Sequence, residues 1–405
     1  MRHFTLSVLL LLFFSLGLGN LINEPGLSIW VVRDQITSPD KVQRVVNLAV
    51  EMGVNRLYVQ VVGRMDAYYK SNILPRAEVL EKQPETFDPL GMIIELAKPY
   101  NIKISAWMNT FYAWPFTSRP KDPNHVVNRF PEWVTYDASG VSLLNYTRAS
   151  GFVEGIFLDP GVPEVRNYVA SIAEEIAANY DVDEIHLDFI RYPYRHFGYN
   201  PIALENFQRW LETYSLEIGK EITPTEEEFN RFRILQVNLT VEEIYRRVKK
   251  YGKNLSAAVF GNYASDGLPN RFQDWVTWLK DGYLDYACLM AYSPYISDVV
   301  KIATAAERRV GSLSRVRIGL GVYTLKGDHG LLKRMMETVM ELRPNEIVLF
   351  SFADLQNQSM RNVVSTISAS RERRYAMTPE APETTEPSEP SESSGQIQTR
   401  QGTEN

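Results

Sequence analysis

Two rhythms of apolar residues alternate along most of this chain. Short, near-continuous apolar runs are followed by stretches whose apolar positions fall three and four apart. The helical rhythm is plain in Val42, Val45, Val46, Ala49 and Val50, after the start signal Ser38-Pro39-Asp40. Asp88-Pro89 opens a second helix through Tyr100, and Asp159-Pro160-Gly161 leads into a third marked by Val165, Tyr168, Val169, Ile172 and Ile176. Between them lie strand-like runs at Leu27–Val32, Arg56–Val62, Lys103–Asn109 and Asp183–Pro193. Further runs follow at Leu255–Phe260, Tyr286–Tyr292, Arg317–Tyr323 and Glu346–Phe352. Apolar strands separated by helices indicate a parallel sheet covered by helices. Eight such runs make a closed (β/α)8 TIM barrel the leading expectation. An open doubly wound sheet is the alternative, but no glycine-rich strand-to-helix turn opens the chain. Two segments, Tyr112–Phe157 and Tyr199–Arg233, are long for barrel loops and follow the third and fourth strands. Insertions of that kind at the C-terminal rim build substrate clefts.

The run Asp183-Glu184-Ile185-His186-Leu187-Asp188-Phe189-Ile190-Arg191-Tyr192-Pro193 changes this picture most. Strand alternation puts His186 and Asp188 on one face and Leu187 and Phe189 on the other. A carboxylate at the tip of a strand that otherwise reads as core calls for an explanation, since an unpaired buried charge is costly. Barrels of this type hold their chemistry at that rim, which makes Asp188 the first candidate. Its bland alternative is a structural carboxylate tied to Arg191. His186, one layer deeper, reads as a hydrogen-bonded orienter. Arg191 and Tyr192 are candidates for binding sugar hydroxyls or a carboxylate. At the exit of the second strand, Gly63-Arg64-Met65-Asp66-Ala67-Tyr68-Tyr69 offers a cation, a carboxylate and aromatics, or else a loop salt bridge with half-buried tyrosines. Ser105, Trp107 and Asn109 share one face of the third strand, where an indole stacks on a sugar ring and an amide bonds its hydroxyls.

Composition narrows the classes. The 405 residues suffice for one large domain plus tails, and the net charge of -6 gives no electrostatic reason to expect nucleic acid as a partner. Aromatics make up 12% of the chain, which suits sugar stacking but equally a large core. Five histidines without a His-x-x-x-His pair, and Cys288 alone, predict no metal and no cofactor. A lone cysteine also rules out an intramolecular disulfide. Gly319-Leu320-Gly321 reads as tight packing inside a strand, not as a phosphate loop. No Gly-x-Ser-x-Gly elbow is present.

Residues 1–19 have the parts of an export signal: Arg2 and His3, an apolar run from Leu6 to Leu18, and a small-residue end at Gly17-Leu18-Gly19. The apolar run is short for a spanning helix, which needs roughly 20 residues. The expectation is therefore cleavage, no stable membrane insertion, and a periplasmic or extracellular protein. Residues 20–372 form the barrel domain, and 373–405, rich in Pro, Glu, Ser and Thr, form a disordered tail.

These stretches together resemble the glycosyl hydrolase-like 10 family, bacterial barrels often exported to the envelope, over about Leu27 to Phe352. The most specific pieces are Asp159-Pro160-Gly161-Val162-Pro163-Glu164-Val165-Arg166, Tyr180 through Asp188, and Tyr192-Pro193. Gln60-Val61 through Tyr69 is similar to the family's second-strand exit, and Ala106-Trp107-Met108-Asn109 to its third-strand ending. The resemblance implies a barrel that hydrolyses glycosides, with Asp188 at the acidic centre. This chain has Ser105 where the family commonly has His. It has Leu289-Met290-Ala291-Tyr292 in place of Pro-Gln-x-Tyr, so only Tyr292 carries over as a substrate contact. Relatives can have Asn at the position of Asp159, which fits a helix cap better than a catalytic acid.

The resulting expectation is an exported hydrolase of O-glycosidic bonds in a polysaccharide, peptidoglycan or another envelope glycan among the possibilities. Two carboxyl groups would flank the scissile bond: Asp188 as nucleophile or base, and Asp66 as first choice for its partner, with Asp34 and Asp354 in reserve. Retaining and inverting outcomes both stay open. The rival reading is a carbohydrate-binding barrel without turnover, which would keep Trp107, Tyr69 and Asn109 but lack a second carboxyl group facing Asp188. A metal-dependent polysaccharide deacetylase would need a ligand cluster that the sequence does not offer.

Overall fold

A computed structural model describes residues 24–147 and 153–376. The expected leader and most of the expected tail lie outside them. The strands are β1 (Gly26–Val31), β2 (Arg56–Val62), β3 (Lys103–Asn109), β4 (Tyr112–Trp114), β5 (Ile156–Phe157), β6 (Glu184–Asp188), β7 (Asn254–Phe260), β8 (Tyr286–Met290), β9 (Val316–Gly321) and β10 (Glu346–Phe350). Eight of them close into a barrel in the order β1-β10-β9-β8-β7-β6-β3-β2, and every pairing in it is parallel. β4 and β5 form a separate antiparallel pair inside the first insertion. The longer helices are α1 (Pro39–Met52), α2 (Pro89–Ala97), α3 (Pro163–Asn179), α4 (Pro201–Ile218), α5 (Glu226–Lys249), α6 (Trp275–Lys280), α7 (Ile296–Val310), α8 (His329–Glu341) and α9 (Gln358–Ala376).

Local signals explain the helix boundaries. The Ser38 hydroxyl accepts from the Lys41 amide ahead of α1, and Gly53 closes it in the left-handed conformation. Asp88 caps α2 in the same way, bonding the Gly91 amide. Asp159 does not cap α3, contrary to expectation: the residue before that helix is Val162, without a side-chain cap. Asp159 instead is fully buried, accepting from the Thr135 hydroxyl at 2.7 Å, the Gly161 amide at 2.9 Å and the Tyr192 hydroxyl at 3.3 Å. It braces the insertion against the barrel.

Alternation along the strands divides the barrel interior into layers. At the N-terminal end Ser28, Arg56, Ser105, Glu184, Ser256, Arg317 and Glu346 form a buried polar network. Arg317 meets Glu184 at 2.8 Å, Arg56 meets Glu346 at 3.1 Å, and the serine hydroxyls donate into the two carboxylates. Above it Trp30, Tyr58, Trp107, Cys288 and Val348 pack as an apolar plug. Gly319 belongs to this plug as tight packing: a Cβ there would sit 2.8 Å from the Trp30 ring. Valines, leucines and isoleucines of the opposite strand faces pack against the helical ring in one large core.

Candidate active site

The C-terminal mouth of the barrel is where side chains reach solvent. Val32, Asp188, Phe260, Met290, Tyr292 and Phe350 are each partly exposed at or just past their strand tips, whereas the residues beneath them are buried. Asp188 stands beside Asn109 in register, and its carbonyl accepts from the Thr110 amide at 2.7 Å. Its carboxylate accepts from the following amide, Phe189, at 2.7 Å. Phe189 adopts φ = 50°, a left-handed conformation uncommon for a bulky residue. Such strain costs on the order of 1–3 kcal/mol and persists only where the surroundings impose it.

Burial pushes the Asp188 carboxyl up to about 6. The Arg191 charge, the Phe189 amide and the Trp107 indole N–H oppose that rise, and the negative charge of Glu154 adds to it. The Trp107 indole N–H has no protein acceptor at hydrogen-bonding geometry, so it remains a donor beside the carboxyl. Burial, and next the Asp188 charge, raises the Tyr292 hydroxyl well above its ordinary value. Tyr292 stacks on Phe350 with ring centroids 5.4 Å apart, and Tyr323 meets each of them edge-on at 6.1 Å. Tyr323 is 52% exposed, so the strand exits of β8, β9 and β10 present an aromatic wall to solvent.

Arg191 lies behind Asp188 in an unusual setting. Its guanidinium sits over Phe189 at 4.5 Å, Phe260 at 5.2 Å and Phe157 at 5.8 Å, and pairs with Glu154 at 3.1 Å. Two of its nitrogens, Nε and Nη1, have no acceptor. Aromatic faces compensate part of the burial of the cation. Arg191 therefore holds an exposed carboxylate, Glu154, next to the mouth and contributes positive charge to Asp188.

Several expected site residues lie elsewhere. Asp66 is 2% exposed, and both its oxygens are taken by Arg64, one by the backbone amide and one by Nη2, each at 3.0 Å. Arg64 in turn lies over the Trp114 ring at 4.4 Å. This loop is the salt bridge of the blander reading, and Asp66 is corrected from catalytic partner to loop anchor. Tyr69 is buried and donates to Glu175 of α3 at 3.0 Å, beneath the helical ring and away from the mouth. Tyr192 is fully buried against Asp159. The Asn109 amide is taken by Gln60 at 3.2 Å and the Gly63 carbonyl at 2.7 Å, so it shapes the rim from inside.

His186 is fully buried below Asp188, as the strand parity requires. Its Nε2 accepts from the Trp30 indole at 3.1 Å, and its Nδ1 meets the Ser256 hydroxyl at 2.8 Å. Since Ser256 donates to Glu184, the ring is the Nδ1–H tautomer and orients nothing at the mouth. Burial depresses it to about 3, which keeps it neutral. His186 is thus hydrogen-bonded as expected, but it is a structural link, neither an orienter of Asp188 nor a substrate contact. Of the reserve carboxylates, Asp354 closes a capping box on Ser351, and Asp34 is exposed with a bond to Gln35 at 2.7 Å.

The mouth thus assembles Asp188, Trp107, Tyr292 and, through Glu154, Arg191. Sequence reasoning missed Glu154, Tyr323 and Phe350. The two aromatics occupy the same kind of position as Tyr292, at a strand exit on the inward parity. Glu154 gives no such signal. Among the described residues no group of His, Cys, Asp or Glu has the arrangement of a metal site, and no helix is long and apolar enough to cross a membrane.

A family profile described as glycosyl hydrolase-like 10 matches residues 27–326. The chain is 25% identical over 265 residues to glycosyl hydrolase YngK of Bacillus subtilis, covering 60% of this chain and 46% of that protein. It is 24% identical over 296 residues to glycosyl hydrolase DigH of Escherichia coli K12, covering 68% of this chain and 63% of that one. It therefore spans less than two thirds of the length of these relatives. Among solved structures, the PgaB (BpsB) glycoside hydrolase domain from Bordetella bronchiseptica superposes with a TM-score of 0.60 at 14% identity, over 84% of this chain and 99% of that one. Alpha-L-fucosidase isoenzyme 2 from Paenibacillus thiaminolyticus does so at 0.59 and 14% identity, over 87% and 50%. At such identities the likeness bears on the fold.

Proposed function

The chain belongs to the glycosyl hydrolase-like 10 family, and from that premise we propose that it hydrolyses O-glycosidic bonds of a polysaccharide at the barrel mouth, with Asp188 as the proton donor. The carrying observation is a single inward carboxyl at a strand tip, partly open to solvent and raised to about 6 by burial. A carboxyl so raised is still substantially protonated in mildly acidic solution, which suits a general acid better than the nucleophile or base expected from sequence.

In this reading Asp188 gives its proton to the leaving oxygen as the bond from that oxygen to the anomeric carbon breaks. The cation-like centre is stabilised by a second carboxylate, and water supplies the hydroxyl of the new reducing end. Glu154, which raises the Asp188 carboxyl and is steered by Arg191, replaces Asp66 as that second group. Retention requires the two carboxyl groups roughly 5 Å apart around the bound sugar, and inversion roughly 6.5–9.5 Å. Tyr292, Phe350 and Tyr323 supply a stacking wall for the ring, and the free indole N–H of Trp107 a donor for a hydroxyl or for Asp188 itself.

We also propose that the protein is exported, on the charged start and apolar run of residues 1–19, and that its glycan belongs to the envelope, peptidoglycan being the first to test. The decisive assay compares wild type and Asp188→Asn on peptidoglycan and on a panel of neutral and acidic polysaccharides. Release of reducing ends by wild type and its loss in a folded Asp188→Asn variant are expected. Equal release by the variant removes Asp188 from the mechanism. Glycan binding without any release by wild type turns the reading to a binding barrel.

A further inference from the structure

A groove of about 730 Å³ leaves the mouth at Met290 and Tyr292. One wall is the segment Gly261–Ser265 after β7, and the other is one face of α7. Asp298, Lys301, Ile302, Ala305, Arg308 and Arg309 recur on that face at helical spacing. From Asp298 to Arg308 the helix advances about 15 Å. The groove is thus a trough continuing from the mouth, not a pit beside it.

Its cations, Lys301, Arg308 and Arg309, outnumber the carboxylate of Asp298. On α5, Arg231, Arg246 and Arg247 each pair with a glutamate four residues earlier. The residues four before and four after Lys301 are Ser297 and Ala305, and those around Arg308 are Thr304 and Ser312. The sequence offers those cations no such partner. Asp298, three residues before Lys301, also lines the trough and accepts from the Ser293 hydroxyl at 2.9 Å. Arg309 is partly committed, donating to the Ala305 carbonyl at 2.8 Å and lying 5.5 Å from the Tyr263 ring. Lys301 and Arg308 are exposed and point their charge at the trough. This local excess of positive charge stands on a chain whose net charge is -6. Tyr295, at the lip where α7 begins, is 67% exposed and offers an aromatic face.

We propose that this trough is a binding site for the continuing strand of an acidic polysaccharide, with Lys301 and Arg308 pairing with carboxylates on sugars beyond the one at Asp188. It rests on the glycosidase reading for its direction, since the strand enters from the mouth past Tyr292. Ion pairs of this exposed kind are individually weak, so selectivity comes from repetition along the polymer and falls with salt.

The test uses the full-length Asp188→Asn protein, so that no polymer is consumed during titration calorimetry. The probes are polygalacturonate, peptide-free glycan strands carrying lactyl carboxylates, and a neutral β-glucan of similar length. At low salt at least one acidic polymer is expected to bind about tenfold or more tighter than the neutral one. Adding Lys301→Glu and Arg308→Glu is expected to remove that preference with the melting temperature intact. The control with Lys98→Glu and Lys103→Glu, two exposed cations at the opposite end of the barrel, is expected to keep it. Equal binding of acidic and neutral polymers overturns the proposal, as does a preference that survives the trough reversal or disappears equally in the control. Failure of wild type to cleave any glycan strikes the glycosidase reading instead, and is read in a separate assay.

Discussion

The two ends of the barrel interior use the same ingredients to opposite effect. At the N-terminal end Glu184 and Glu346 face Arg317 and Arg56, serine hydroxyls fill the remaining lone pairs, and the cluster is closed. Burial alone would raise Glu184, but the Arg317 and Arg56 charges outweigh it and hold the carboxyl at about 2. At the C-terminal mouth Asp188 has one amide of its own turn, an indole N–H and an arginine set back among phenylalanine rings. There burial wins, and the carboxyl rises to about 6. The contrast teaches that burial does not by itself mark a functional carboxylate. What distinguishes Asp188 is incomplete satisfaction beside an opening.

The largest effect expected is on turnover. Asp188→Asn should lower kcat/KM by about 10²–10⁴-fold, the range for loss of a general acid, measured on whichever glycan wild type cleaves. At the closed end Glu184→Gln removes the nearer carboxylate from buried Arg317, leaving only Glu346 at 3.7 Å, and should cost about 3 kcal/mol in urea unfolding at neutral pH. The Glu184 carboxyl is depressed in the folded state, so its contribution is present above its unfolded value near 4.5 and fades as pH falls toward 2. The penalty of Glu184→Gln should shrink over that acid window.

Asp188 has the opposite sign. Its folded value lies above the ordinary 3.8, so the folded state holds the proton more tightly and loses stability as pH rises from about 4 to about 6. Asp188→Asn should therefore be more stable than wild type at pH 7, by up to about 3 kcal/mol, and close to it at pH 4. A variant that is destabilised at pH 7 would make the mouth carboxylate a structural group like those below it. Smallest is Tyr323→Ala, which removes an exposed part of the aromatic wall. A rise in KM equivalent to about 1 kcal/mol is expected, with little change in melting temperature.

The strand runs were legible because a parallel sheet buried on both faces leaves an apolar run in the sequence, and the barrel followed from their number. Asp188 was legible as the exception within one run. Parity also placed His186 beneath it correctly. It did not reveal that Trp30 and Ser256, on other strands, occupy both ring nitrogens. Asn109 was misread for the same reason, its amide being taken across the barrel by Gln60 and by the Gly63 carbonyl. Past the strand ends parity stops applying. Tyr69 turns against α3 and Tyr192 against Asp159, whereas Tyr292 and Tyr323 reach the mouth. Glu154 comes from an insertion without periodicity, and its place depends on Arg191, 37 residues later.

The pH dependence of kcat/KM on a cleaved glycan tests the account most directly. With Asp188 as the acid, kcat/KM should decline on the alkaline side with a midpoint near 6, tenfold for each further pH unit. A rate that holds level from pH 5 to pH 8, or one that rises over that span, contradicts it.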